Sequence, residues 1–303
     1  MRHFLCISDC STEELNELLD LSSSLKKLYK TGGRDVCLAG KVLAMVFEKP
    51  SLRTRISFQV AMTDLGGSGI FIRPEDVGGI GAREPIKDMA RVLSRYVDGI
   101  MARTFAHNTV VELAKYATVP VINALTDLSH PCQAMADVLT IKEHLGRLTG
   151  VKVAFIGDGN NVAQSLAFAA AKLGMKLVVA SPKGYELDWG TIEKTNGIKA
   201  DSVSITNNPV EAVVGADVVY TDTWVSMGQE AEKKKRIKAF NGFQVNAELL
   251  KSAPAGIKIM HCLPAYRGFE ITDEVVESPN SIIFDQSENR LHFQRALVKK
   301  LMS

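Results

Sequence analysis

The sequence predicts an α/β fold: two domains, each a parallel sheet flanked by helices. Three observations carry this expectation. Short apolar runs of strand length alternate with segments of helical period along 303 residues, the pattern of parallel strands covered by helices. The length is that of two ordinary domains. Candidate functional residues follow the apolar runs at Ser51, Arg103, Asn123, Gly157, Asp222 and His261, at the carboxyl ends of strands, where ligands bind in such sheets.

Residues 11–30 begin at a capping Ser11 or Thr12, and Leu15, Leu18, Leu19, Leu25 and Leu28 make one apolar helical face. Val42 to Phe47 is a buried-strand run, stopped by Glu48-Lys49-Pro50, and a helix runs from about 52 toward Gly66-Gly67. A strand at 69–72 is followed by the glycine-rich loop 77–81. A helix through Ile86, Ala90 and Leu93 comes next, then a strand at 99–102 ending at Arg103. A helix near 109–116 and a strand at 119–123 close the first cycle. The second cycle opens with Val151 to Ile156, Gly157-Asp158-Gly159 and a helix of small residues. Strands at 177–180, 203–205, 218–220 and 257–260 and a helix near 185–195 continue it, and 287–303 is an amphipathic helix.

Hydrophobic residues are 46% and charged residues 23%, the balance of a soluble protein with a core. A formal net charge of +2 implies no polyanion partner, hence no nucleic acid. No apolar run suffices to cross a bilayer, and the first residues lack the apolar core of a signal peptide. Five scattered cysteines suggest reduced thiols in a cytoplasmic protein.

Ser51-Leu52-Arg53-Thr54-Arg55 places two guanidiniums and two hydroxyls where a strand hands over to a helix. Free N–H groups of a first helical turn attract anions, and arginine adds a planar fork matched to phosphate oxygens. The stretch therefore reads as a phosphate seat. At His130-Pro131-Cys132-Gln133, Pro131 suits a helix start. His130 is placed to donate to an oxygen gaining charge, and Gln133 to hold an amide. Tyr220-Thr221-Asp222, with Ser226-Met227-Gly228 beyond, sets a carboxylate at a strand end, suited to an ammonium group.

Two motifs point to cofactors only superficially. Gly157-Asp158-Gly159 lacks the third glycine of a dinucleotide fingerprint, and no acidic residue ends the next strand. Asn161 is the residue this turn aims into a cleft. His130, Cys132, His261 and Cys262 do not have the spacing of zinc ligands, and neighbours leaving a strand should point to opposite faces. Cys262 reads as a thiol at a strand end. The basic run Lys233-Lys234-Lys235-Arg236, flanked by acids, reads as a solvated helix and a candidate lid.

Together these segments resemble the aspartate/ornithine carbamoyltransferase family, in the same order from about Phe47 to Lys299. The phosphate motif and His-Pro-x-Gln are features of the whole family. Asp222 with Ser226-Met227-Gly228, and His261-Cys262-Leu263-Pro264, resemble its ornithine branch.

The resemblance implies transfer of a carbamoyl group from carbamoyl phosphate to the δ-amine of L-ornithine, giving L-citrulline and phosphate in arginine biosynthesis. It implies that Ser51, Leu52 (through its N–H), Arg53 and Thr54 hold phosphate. Arg103 would bridge phosphate and carbamoyl oxygen, which His130 and Thr54 also address. Gln133 would bind the carbamoyl amide, with Cys262, Leu263 and Arg290 completing this subsite. Asn161, Asp222, Ser226 and Met227 would grip the amino-acid end of ornithine, with Asp222 and Cys262 near the attacking amine. It implies no metal or organic cofactor. Residues 1–132 with 286–303 would bind carbamoyl phosphate and 133–285 ornithine, with the last helix returning to the first domain. Homotrimers or multiples of trimers are the expected assembly.

The residue types suit that chemistry. Attack on the carbamoyl carbon moves charge onto its oxygen and then onto phosphate, and Arg53, Arg103 and His130 are expected to act as fixed positive donors. The sequence departs from the family twice: Leu52 stands where Thr is common, and Gly78-Gly79 occupies the place of a polar residue that reaches a neighbouring subunit.

Overall fold

In a computed structural model of the chain, which describes residues 1–226 and 228–303, the chain divides into two compact units. The first comprises Met1–Leu139 and Glu288–Ser303, the second Thr140–Ser287.

The first unit opens with α1 (Thr12–Lys30), started by a capping box in which the Ser11 hydroxyl accepts from the Glu14 N–H and Glu14 accepts from the Ser11 N–H. Then follow β1 (Val42–Phe47), α2 (Leu52–Asp64), β2 (Ser68–Ile72), the one-turn α3 (Pro74–Val77) and α4 (Ile86–Tyr96). β3 (Gly99–Arg103), α5 (His107–Tyr116), β4 (Val121–Leu125) and α6 (Pro131–Leu145) complete the run. The sheet is parallel throughout, ordered β2-β1-β3-β4. Its centre is β1 and β3, whose Ala44, Val46, Ile100 and Ala102 pack against Val110 and Leu113 of α5. The β3–β4 register shifts between Ala102 and Arg103, the last residue of β3.

The second unit contains β5 (Lys152–Ile156), α7 (Asn161–Leu173), β6 (Lys176–Ala180), α8 (Trp189–Ile198), β7 (Val203–Thr206), α9 (Pro209–Val213) and β8 (Val218–Thr221). α10 (Lys233–Ala239), α11 (Ala247–Leu250), β9 (Lys258–His261) and α12 (Asp273–Val276) follow. Its parallel sheet is ordered β7-β6-β5-β8-β9. Phe155 and Tyr220 stack 5.2 Å apart on neighbouring strands. Trp224, Phe240, Phe243 and Val245 belong to a cluster beside the sheet. The last helix, α13 (Ile283–Met302), contributes Glu288 onward to the first unit. The unit boundaries fall within α6 and α13.

Two expectations shift. Asn123 lies inside β4 rather than after it, and its buried amide donates to Leu5 O and Ser129 O as an internal brace. α8 starts later than expected, at Trp189, because Asp188 accepts from the Thr191 N–H and caps it there.

Candidate active site

In the first unit, three segments converge on one guanidinium. Ser51 caps α2, its hydroxyl accepting from the Thr54 N–H at 3.3 Å and donating to Thr54 Oγ1 at 3.1 Å. Pro131 opens α6, putting Gln133 in its first turn. Arg290, projecting from α13, donates through one amine to Thr54 Oγ1 and through the other to Gln133 Oε1, each at 3.0 Å. Gln133 in turn donates to Asp137 at 2.8 Å. Thr54, Gln133, Asp137 and Arg290 are all buried. The phosphate motif and His-Pro-x-Gln are thus tied together by a residue more than 150 positions away from either.

His130, buried just before α6, is held well below the usual histidine range, first by burial and then by Arg290, Arg103, Lys49 and Arg53. Four cations therefore act on one imidazole. Burial and these cations disfavour the charged form of His130, the form expected from sequence. Arg103 is the last residue of β3 and is buried. Arg53 is half-buried, whereas Arg55 diverges from it and stacks 4.0 Å over Phe71. Only one guanidinium of the motif therefore joins the cluster around His130. Leu52 exposes its side chain to solvent, with 75% accessible.

Lys49 escaped sequence reasoning, which treated it only as part of a helix stop. Burial, reinforced by Arg103, lowers its pKa to about 8, and its ammonium sits 4.7 Å from the centre of the Phe105 ring. The signal was its place two residues before Ser51. Cys132 is buried, pushed up to about 12 by desolvation, and donates to Asn123 O; it is a packing residue.

In the second unit, Asp222 follows β8 directly and is nearly buried. One carboxylate oxygen accepts from the Asn160 amide at 2.8 Å. The other accepts from the Thr223 N–H at 2.7 Å and from the Cys262 thiol at 2.9 Å. Asn160 also caps α7, accepting from the Val162 and Ala163 N–H groups. Asn161, the residue singled out from sequence, is the half-buried first residue of that helix. Asn160 was missed, although an Asn ahead of an alanine-rich helix is a capping signal.

The glycines of this turn serve the protein's own packing. A Cβ on Gly159 would lie 2.3 Å from Leu187 N, and the Gly159 N–H donates to Tyr185 O. Glycine at 159 thus lets residues 186–187 approach the turn closely, a packing role.

Cys262 follows β9 and is half-buried, and Leu263 beyond it takes a left-handed backbone, φ 58°. This turn corrects one expectation: potential ligand atoms of Asp222, His261 and Cys262 lie within 4.8 Å of one another rather than on opposite faces. They are engaged within the protein. His261 Nδ1 accepts from the Leu263 N–H, Nε2 bonds Glu270 at 3.0 Å, and the Cys262 thiol is on Asp222. Ser226 is half-buried, its N–H donating to Gln229. Met227 lies outside the described residues.

The basic run behaves as expected at Lys233, Lys234 and Lys235, which are exposed, but not at Arg236. That side chain turns inward, donating to Asp158 at 2.7 Å, to Trp224 O at 3.2 Å and to Glu232 at 3.1 Å, and stacks over Tyr185. It ties the turn after β5 to the chain segment after Asp222.

The first unit's arrangement can hold a small anion and polarise a carbonyl; the second's can hold an ammonium group beside a thiol. The model of the aspartate/ornithine carbamoyltransferase carbamoyl-P binding domain matches residues 2–143, and that of the Asp/Orn binding domain matches residues 149–301. The ornithine carbamoyltransferase of Thermococcus kodakarensis is 53% identical over 99% of this chain and 96% of its own. The solved Pyrococcus furiosus ornithine carbamoyltransferase superposes with a TM-score of 0.96 at 52% identity, covering 99% of this chain and 97% of that one. The Thermus thermophilus enzyme gives 0.91 at 46% identity, over 100% and 99%. The chain therefore belongs to the aspartate/ornithine carbamoyltransferase family.

Proposed function

We propose that this chain transfers the carbamoyl group of carbamoyl phosphate to the δ-amine of L-ornithine, giving L-citrulline and phosphate, and that it serves arginine biosynthesis. The observation that carries the residue-level reading is the Arg290 bridge between Thr54 and Gln133, beside a His130 acted on by Arg53 and Arg103. A group with a phosphate at one end and an amide at the other matches that set of donors and acceptors.

In this reading Ser51, Arg53, Thr54 and the Leu52 N–H seat the phosphate. Arg103 spans phosphate and carbamoyl oxygen, neutral His130 donates to that oxygen, and Gln133 Oε1 accepts from the carbamoyl amide. Arg290, Cys262 and Leu263 complete the subsite. Asn161, Asp222, Ser226 and Met227 take the amino-acid end of ornithine. The nucleophile must be a neutral amine, whereas an alkyl ammonium titrates near pH ~10; desolvation favours the uncharged form. Fixed donors then stabilise charge on the carbamoyl oxygen and on departing phosphate, and alignment of the two substrates supplies much of the rest. No side chain needs to become covalently attached.

A cytoplasmic homotrimer completes the proposal. The first unit leaves Leu52, Ile56 and Ile70 exposed on α2 and on the edge strand β2, apolar surface of the kind subunits bury. Among the described residues no cysteine is paired in a disulfide, which fits a reducing compartment. Among the described residues no helix is long and apolar enough to cross a membrane.

The test is citrulline formation by purified protein supplied with carbamoyl phosphate and a panel of amines. Ornithine should be preferred; a preference for putrescine, which has no α-ammonium for Asp222, would overturn the acceptor assignment.

A further inference from the structure

We propose that His107 is a positioning residue for His130, holding in place the turn from which His130 projects. His107 is the first residue of α5 and half-buried. Its ring Nδ1 lies 2.9 Å from Thr126 Oγ1, and its backbone N–H donates to Asp127 at 2.8 Å. Phe105 O, two residues earlier, accepts from the Asp127 N–H. Thr126 and Ser129 close a turn on themselves: the Thr126 N–H donates to Ser129 O at 2.9 Å, and the Ser129 N–H donates to Thr126 Oγ1 at 3.2 Å. Ser129 immediately precedes His130. The Thr126 hydroxyl is thus the joint between the His107 ring and the turn.

The other face of the ring fixes its orientation. His107 Nε2 lies 3.5 Å from the Cys6 sulfur. Both ring nitrogens therefore have a partner, Thr126 Oγ1 at Nδ1 and the Cys6 sulfur at Nε2, whichever nitrogen carries the proton. Burial favours both neutral forms, lowering the pKa of His107 and raising that of Cys6. The ring is gripped from both sides and transmits that grip to the residue pair ahead of His130.

The inference rests on the reading that His130 addresses the carbamoyl oxygen, so its test has an arm that needs no turnover. His107→Leu removes the bond to Thr126; His107→Gln keeps an amide but one atom too far out; His107→Asn keeps a polar atom at the Nδ1 position. Misplacing a reacting group by about 1 Å can cost about 100-fold. The expected result is a kcat loss of about 10- to 100-fold in the Leu and Gln variants, with the ornithine KM within about twofold of the parent and most of kcat recovered in Asn. In histidine-labelled protein without substrates, the His130 imidazole resonances should move in the Leu and Gln variants and return in Asn. Equal kcat in all forms, equal loss in all three, or unmoved His130 resonances would each overturn the role. A parent protein that makes no citrulline, yet shows the resonance shifts, would sink the functional reading and leave the positioning role standing. If His107→Leu fails to fold, the Asn–Gln pair decides the matter.

Discussion

Arg290 and Lys49 frame the chemistry available to the first unit from opposite directions. Arg290 is buried and committed to Thr54 and Gln133; Lys49 is partly exposed and titrates near 8. Lowering a lysine pKa means that the native state releases its proton first. Below about pH 8 the ammonium is present; above it the cation is lost from the neighbourhood of Arg103 and His130. The KM for carbamoyl phosphate at saturating ornithine should therefore rise as pH climbs through 8, and Lys49→Met should flatten that dependence. Stability carries the opposite sign: between about 8 and 10.5 the unfolded chain retains a proton that the native state has shed, so this group makes the protein more stable with rising pH in that window. Arg53→Ala removes a donor from the proposed phosphate seat. It should cost about 3 kcal/mol of transition-state stabilisation, read as a fall of roughly 100-fold in kcat/KM. Turnover close to the parent would make Arg53 peripheral. Cys262→Ser exchanges the thiol on Asp222 for a hydroxyl. It should lower kcat while leaving the melting temperature nearly unchanged, and unaltered kinetics would remove the thiol from the mechanism.

At the scale of elements, local signals account for most boundaries and fail where local information is thin. The start of α1 was legible to within one residue, as a cap at Ser11 or Thr12 before an apolar stripe, and the reciprocal bonds with Glu14 single out Ser11. Ser11→Ala should lower stability by about 1 kcal/mol, seen as a shift of the urea midpoint with an unchanged slope. β1, β3 and β5 were legible as uninterrupted apolar runs because both faces of a parallel sheet are covered. The one-turn helices α3, α9, α11 and α12 left no periodic trace, since four or five residues do not complete two turns. Phe155, stacked on Tyr220 and fully buried, anchors the second sheet. Phe155→Ala should cost about 3–5 kcal/mol by opening a cavity, and a loss under about 1 kcal/mol in equilibrium unfolding would mean the site collapses around the gap.

For the whole molecule, the proposed trimer is the consequence most open to measurement. Sedimentation should report three chains, and charge introduced at Ile56 and Ile70, both exposed in the isolated chain, should shift the distribution toward monomer. Unchanged sedimentation would place the interface elsewhere. The sequence by itself determined the alternation of strands and helices, the two-domain parallel architecture, and which polar residues stand at strand ends. Those features follow from local periodicity, from caps, and from motif order along the chain. Only the tertiary structure decided that Arg290 joins Thr54 to Gln133, that Arg236 turns inward to Asp158, that Arg55 stacks on Phe71, and that burial among cations pushes the pKa of His130 down. The physical reason is the same in each case. A hydrogen bond between residues far apart in sequence, and a pKa set by burial among several cations, depend on distances in space that no spacing along the chain encodes.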